Sequence, residues 1–279
     1  TIMLWKGRRE STNVDDRRGM SGGGLAVGGG IIGVIALLIN FFLGGGDASQ
    51  LPQNVPGAGA PEMSAEQKAE EDELAGFVKV VFGDTEDVWN SLLGDGQYRE
   101  PRLVLFSQVT SSGCGNASQA SGPFYCPADQ QVYIDLSFYN ELKQRFNVSG
   151  DFAMAYVIAH EVGHHIQYLM GITEKMARAR QQMSETEYNQ LSVKLELQAD
   201  FYAGVFAHHN KKYLQAGDIE EALTAANAIG DDNLQRQAQG RVVPDAFTHG
   251  TSEQRMYWFK KGYQTGDINQ GDTFSATDL

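Results

Sequence analysis

Residues 153–171 read AMAYVIAHEVGHHIQYLMG, and the rest of the chain is best read outward from them. Residues four apart on an α-helix lie one turn apart on the same face, so His160 and His164 can turn both imidazoles toward a single ion. Glu161 stands beside that pair, where its carboxylate can take a proton from a water held by the metal and return it to a departing amine. A divalent ion lowers the pKa of such a water and polarises a carbonyl. An unrelated polar helix face would also present two His and a Glu. Here, however, Ala155, Val157, Ile158, Val162, Ile166 and Leu169 make the helix largely apolar, and ionisable groups buried in such surroundings need partners.

A catalytic zinc ion takes three protein ligands and keeps one position for water. Residues 195–204, LELQADFYAG, supply Glu196 and Asp200, again four apart. Glu196 is the expected third ligand. Asp200, one turn on, is expected to accept a hydrogen bond from the distal N–H of a ligating histidine and so fix its tautomer. His165 points about 100° away from His164 and belongs to the core or to the surroundings of the site. His208 lies about 18 Å along the helix from Glu196, so His208 and His209 read as helix-end residues. His249, within DAFTHGTSEQR, is a candidate catalytic donor to the oxyanion of a tetrahedral transition state; the competing reading is a structural turn.

Helices are expected near 151–170, 184–210, 218–230 and 252–264, with breaks at Gly171, Gly217, Gly230 and Pro244. Upstream, Ser64 and Gln67 have the spacing of a capping box, and Phe77, Val78, Val81 and Phe82 give the helix that follows an apolar face. Trp89 and Leu92 suggest a second short helix. Leu103–Phe106 and Val132–Leu136 are β-prone runs bracketing a Ser/Gly-rich loop. That loop holds both cysteines of the chain, Cys114 and Cys126, and outside the cytoplasm such a pair is expected to form a disulfide. The run Gln131–Leu136 is a candidate edge strand along which an extended peptide substrate would pair.

Residues 25–43, LAVGGGIIGVIALLINFFL, carry no charge and as a helix would span about 28 Å, close to a bilayer's hydrocarbon thickness. Lys6, Arg8, Arg9, Arg17 and Arg18 precede this run, and no Lys or Arg follows it until Lys68, a bias that keeps the N-terminus cytoplasmic. A cleaved signal peptide would have a shorter apolar core and a small-residue cleavage site. The expected organisation is therefore a basic cytoplasmic segment (1–20), a transmembrane anchor (21–46), a flexible linker (47–63) and a domain over 64–279. This places a single-pass protein in the bacterial inner membrane, with residues 25–43 against lipid and the C-terminal domain outside the cytoplasm. Gly24 with Gly28, and Gly29 with Gly33, form small-xxx-small pairs that would let two copies pack as a homodimer. The 22 Lys+Arg against 35 Asp+Glu give a net charge of −13, which argues against nucleic acid as a partner.

Five segments together resemble the bacterial neutral zinc metallopeptidases, a membrane-anchored family of zincin type. They are WKGRRESTNVDDRRG (5–19), FYCPADQQVYIDLSFY (124–139), HEVGHH (160–165), ELQAD (196–200) and DAFTHGTSEQRMYWF (245–259). The resemblance implies zinc held by His160, His164 and Glu196, with Glu161 at the same centre. The expected fold is α+β and predominantly helical: a zincin-like domain with a small β-sheet, preceded by one transmembrane helix. The expected activity is hydrolysis of peptide bonds in a peptide or protein substrate. An amidase acting on cell-wall peptide cross-links would use the same water. A non-catalytic, zinc-stiffened scaffold would need a fourth protein ligand, and no cysteine lies near His160 or Glu196.

Overall fold

The structure, a computed structural model, describes residues 3–19, 64–94, 96–118, 121–145 and 150–277. Helix α1 (Ala65–Leu93) starts at Ser64, whose side chain accepts from Gln67 N–H while Gln67 answers to the Ser64 backbone. The reciprocal cap satisfies two N-terminal donors, as the spacing predicts. Trp89 and Leu92 continue this helix and do not start a second one. Trp89 is fully buried with its ring edge-on to Tyr202 at 5.6 Å, so tertiary packing holds the last turns.

Strands β1 (Val14–Asp16), β2 (Arg102–Phe106), β5 (Phe124–Cys126) and β6 (Gln131–Asp135) form one sheet in the order β1-β2-β6-β5; β3 (Val109–Ser112) and β4 (Gly115–Ser118) form a separate antiparallel pair. β1 and β6 both run parallel to β2, and β5 runs antiparallel to β6. The period of two divides each strand between two faces. Leu103, Leu105, Val132 and Ile134 enter the main core, whereas Val104, Phe106 and Tyr133 join Ala117 and Cys126 in a smaller cluster. Cys114 and Cys126 are disulfide-bonded, with Cα atoms 5.8 Å apart.

Helix α2 (Ser137–Arg145) follows the sheet. Then come α3 (Asp151–Leu169), α4 (Ile172–Arg180), α5 (Glu185–His209), α6 (Asp218–Ala228), α7 (Asp231–Gln239) and α8 (Ser252–Thr265). The expected helix over 218–230 ends at Ala228, and α7 is an addition: Asp231 and Asp232 open it next to its positive N-terminal end. α5 and α8 approach closely because glycines face backbone. A Cβ on Gly204 would lie 2.1 Å from the carbonyl oxygen of Phe259, and one on Gly262 would lie 2.0 Å from that of Phe201. Neither obstacle can swing aside. Gly204→Ala is therefore expected to destabilise the protein by about 2 kcal/mol or more, within or above the usual overpacking range. Chemical denaturation would register this as a lowered midpoint; an unchanged midpoint would mean that the two helices separate freely.

Two expectations are corrected by the structure. Among the described residues no helix is long and apolar enough to cross a membrane, so the preceding transmembrane helix is no part of the fold these residues form. The run 25–43, with the lipid contact and helix-mediated dimer read from it, lies outside the described residues. The basic N-terminus is also not a separate cytoplasmic segment. Val14, Asp15 and Asp16 pair with Leu103, Val104 and Leu105, Met3 is buried, and Leu4 N–H donates to Tyr213 O at 3.1 Å. A strand hydrogen-bonded into the sheet lies on the same side of any membrane as the sheet itself, which contradicts the single-pass inner-membrane placement. Its cations have partners nearby: Arg8 pairs with Asp84, Arg9 with Glu86 (2.9 Å) and Asp87 (2.7 Å), and Arg18 with Asp16 (2.8 Å) and Asp72 (3.2 Å). The charges that read as a membrane flank are ion-paired largely with α1.

Candidate active site

α3 and α5 pack across each other where Gly163 meets Ala199; a Cβ on Gly163 would lie 3.1 Å from the Ala199 backbone. This close approach brings the expected ligands together. His160 Nε2 lies 3.1 Å from Glu196 Oε2, and His164 Nε2 lies 3.5 Å from Glu196 Oε1. One ligand atom from each of the three residues falls within 4.8 Å of the others. His160 is buried, and His164 and Glu196 are half-buried. Two imidazole nitrogens and a carboxylate form a donor set suited to zinc.

Each histidine has its other nitrogen occupied. His160 Nδ1 is 2.8 Å from Asp200 Oδ1, as expected. His164 Nδ1 is 2.8 Å from Gln167 Oε1, while Gln167 Nε2 donates to Leu195 O (2.7 Å) and Gln198 Oε1 (3.1 Å). Because those two acceptors fix the amide's orientation, its oxygen faces His164; Nδ1 must carry the proton, and Nε2 keeps its lone pair for a metal. Burial tends to lower the His160 pKa, but the Asp200 and Glu196 carboxylates outweigh it and raise the pKa to about 10. The arrangement thus favours positive charge at the position where an ion would sit.

Asp200 is clamped from three directions. Arg255, on α8, donates from Nε to Oδ2 at 2.8 Å and from Nη2 to Oδ1 at 3.0 Å, and the Tyr156 hydroxyl donates to Oδ1 at 2.5 Å. Burial raises the Asp200 pKa, and the Arg255 guanidinium with His160 overcomes this, holding it at about 2. Arg255 also donates to the Tyr156 oxygen at 3.1 Å and to Ile229 O at 3.2 Å.

Glu161 is buried on the same face of the site. Burial raises its pKa, partly offset by His160 and His164 and by the nearby main chain of Tyr125. Tyr125 belongs to β5, and this corrects the edge-strand expectation. β6, the run Gln131–Asp135, is flanked by β2 and β5 and is interior; the edge beside the metal helix is β5. Three residues between a Gly-Pro pair and a turn carry too little pattern to read as an edge strand.

His249 sits in a loop gathered by Asp231, whose Oδ2 accepts the main-chain N–H groups of Thr248 (2.7 Å), His249 (2.7 Å) and Gly250 (3.2 Å). Its Nδ1 is 3.4 Å from Asp231 Oδ1. Burial lowers the His249 pKa, and the carboxylates of Glu196 and Asp231 outweigh it and raise it overall. His165 faces the other way, and burial lowers its pKa to about 4. His208 and His209 bind Tyr263 O (2.8 Å) and Gly266 O (2.9 Å) at the helix end. Sequence reasoning missed Gln167, Arg255, Asp231 and Tyr125. Only Gln167 left a local signal, an amide one turn beyond His164 on an apolar helix.

Two histidines one turn apart and a carboxylate from a crossing helix define an HExxH-type zinc centre. Residues 3–274 match the family described as "Putative neutral zinc metallopeptidase", and the chain belongs to that family, whose cofactor is zinc. It is 48% identical to the uncharacterized protein YpfJ of Escherichia coli K12, over 99% of this chain and 100% of that one. It is 41% identical to the uncharacterized protein Rv2575 of Mycobacterium tuberculosis, over 84% of each. No solved structure matches the chain.

Proposed function

We propose that the protein is a zinc metallopeptidase that hydrolyses peptide bonds, with Glu161 as general base and then general acid. The observation that carries this reading is the buried Glu161 carboxylate beside the trio His160, His164 and Glu196, in which both imidazoles have their distal nitrogens committed, to Asp200 and Gln167. His160, His164 and Glu196 would hold the zinc ion, which when bound would supply Lewis acidity for water and for the scissile carbonyl. Glu161 takes one proton from the attacking water, whose oxygen bonds to the carbonyl carbon. It delivers that proton to the departing nitrogen as the C–N bond breaks, leaving a carboxylic acid and an amine. Burial of Glu161 favours the protonated form needed in the second half. His249, fixed through Asp231, serves as donor to the charge developing on the carbonyl oxygen. An extended peptide lies along β5, the free edge nearest Glu161.

The test uses the zinc-loaded full chain on an unfolded protein and on muropeptides in parallel. Cleavage of the unfolded protein is expected, abolished by a chelator and restored by added zinc. Cleavage of muropeptides alone would replace the peptidase reading with a cell-wall amidase, and inertness toward both would favour a zinc-stiffened scaffold.

A further inference from the structure

We infer that Gln198 is a positioning residue for the zinc centre: it links the C-terminal segment 267–274 to the ligand His164 through Gln167, so that the seating of this segment sets the imidazole's hold on the ion. The inference rests on the zinc site and not on the reaction proposed there. Within ELQAD, Glu196 and Asp200 serve the site directly, while Gln198 lies between them in sequence and is buried. Its Nε2 donates to Gly271 O at 2.8 Å, and its Oε1 accepts from Gln167 Nε2 at 3.1 Å. A main-chain carbonyl can only accept, so Gly271 fixes which end of the Gln198 amide faces Gln167. Gln167 in turn presents Oε1 to His164 Nδ1 at 2.8 Å, with Leu195 O also accepting from its Nε2 at 2.7 Å. Every bond in this row points one way, and the row ends on the proton whose placement leaves His164 Nε2 free for zinc.

The C-terminal segment is seated on α5 closely enough to anchor the row. Thr273, fully buried, donates from Oγ1 to Lys194 O at 2.6 Å, and Lys194 Nζ donates to Phe274 O at 2.9 Å. Just before them, Gly271 lies against the ring of Phe201: a Cβ at this position would stand 2.5 Å from Cδ1. Phe201 is itself fully buried, with the rings of Tyr202 and Trp258 edge-on at 5.8 and 6.2 Å. A side chain at position 271 would therefore displace the segment and not the ring. The two ligand imidazoles are thus held differently. His160 faces a carboxylate clamped by Arg255, whereas His164 faces a neutral amide whose orientation is passed on from the C-terminal segment.

The decisive variant is Gln198→Leu. It strands no polar group, because Gly271 O still accepts from Thr273 N–H at 3.0 Å and Gln167 Nε2 still donates to Leu195 O. Loss of a group that supports a metal ligand costs about 10–100-fold in affinity. With Leu195 still holding Gln167, we expect the lower end, about tenfold weaker zinc binding by the full chain in competition with a chromogenic chelator. Gly271→Ala, which removes no hydrogen-bonding group, should weaken zinc binding in the same direction. Gln167→Leu should weaken it at least as much as Gln198→Leu, and the double variant no more than Gln167→Leu alone, because Gln198 acts only through Gln167. In the cobalt-substituted chain, NMR of the ligand imidazole N–H protons supplies a signature that general loosening would not produce: solvent exchange in Gln198→Leu is faster at His164 Nδ1–H and unchanged at His160. Parental zinc affinity in folded Gln198→Leu or Gly271→Ala, losses that multiply in the double variant, or both histidine signals exchanging faster together would each overturn the inference. Should either variant not fold, the other decides. A parent that binds zinc and hydrolyses nothing would end the peptidase reading and leave these measurements to decide the role of Gln198.

Discussion

Glu161→Gln is expected to lower kcat/KM for peptide cleavage about a thousandfold, with zinc bound as in the parent. The amide has nearly the volume of the carboxylate, so the packing around it is retained. What disappears is the basic oxygen that takes the proton from water, and general acid–base groups typically account for about 10²–10⁴ in rate. His160, His164 and Glu196 are untouched, so zinc content by elemental analysis should not change. Glu196→Gln should show the opposite pattern, with zinc and activity lost together. A Glu161→Gln protein that binds zinc and cleaves at the parental rate would remove Glu161 from the chemistry and with it the proposed mechanism.

The parts of the site that were legible from sequence are those governed by the helical repeat. His160 with His164, and Glu196 with Asp200, are pairs four apart, and each pair falls on one face of a single helix. What the repeat cannot convey is which distant residue completes a buried charge. Arg255 lies 55 positions from Asp200, inside a stretch that reads locally as an amphipathic helix. Asp231 likewise organises a loop 17 to 19 positions away.

The N-terminal arm illustrates the same limit with greater consequence. A cluster of Arg and Lys ahead of an apolar run has two physical readings: a charged flank that resists crossing a membrane, or a set of cations awaiting acidic partners. Only the long-range pairing with Asp84, Glu86 and Asp72 on α1 separates them. The parallel β1–β2 register also escapes a local reading, since Val14–Asp16 is three residues long and contains two aspartates. In the same way, Gln131–Asp135 is a recognisable strand, but its place inside the sheet depends on β2 on one side and β5 on the other.

Arg255→Met should destabilise the metal-free protein by about 3–5 kcal/mol, the usual cost of removing one partner from a buried ion pair. The guanidinium is almost wholly buried, as is the carboxylate it neutralises. Two of the four hydrogen bonds that Asp200 accepts come from Arg255, and the others from Tyr156 and His160. Without the guanidinium, burial would push Asp200 toward protonation. A protonated carboxyl is a weaker acceptor for His160 Nδ1–H, so the imidazole loses its fixed tautomer and some of its basicity. Zinc affinity should fall about 10–100-fold, the range seen when such supporting groups are lost. Stability is best measured by denaturant unfolding in chelator, because bound zinc would otherwise stabilise the native state by mass action; affinity is measured separately by competition with a chromogenic chelator. Pairing Arg255→Met with Asp200→Asn removes both charges and should recover part of the lost stability, since a neutral pair carries no stranded ion. The zinc affinity should stay low, because the Asn oxygen lacks the negative charge that strengthens the His160 donor. An Arg255→Met protein with the parental midpoint and zinc affinity would mean that Asp200 needs no counter-charge, and the network would then be packing alone. A fall in stability with affinity unchanged would separate the ion pair from the metal site. Only the joint loss, with stability rescued by Asp200→Asn and affinity not rescued, assigns Arg255 to both.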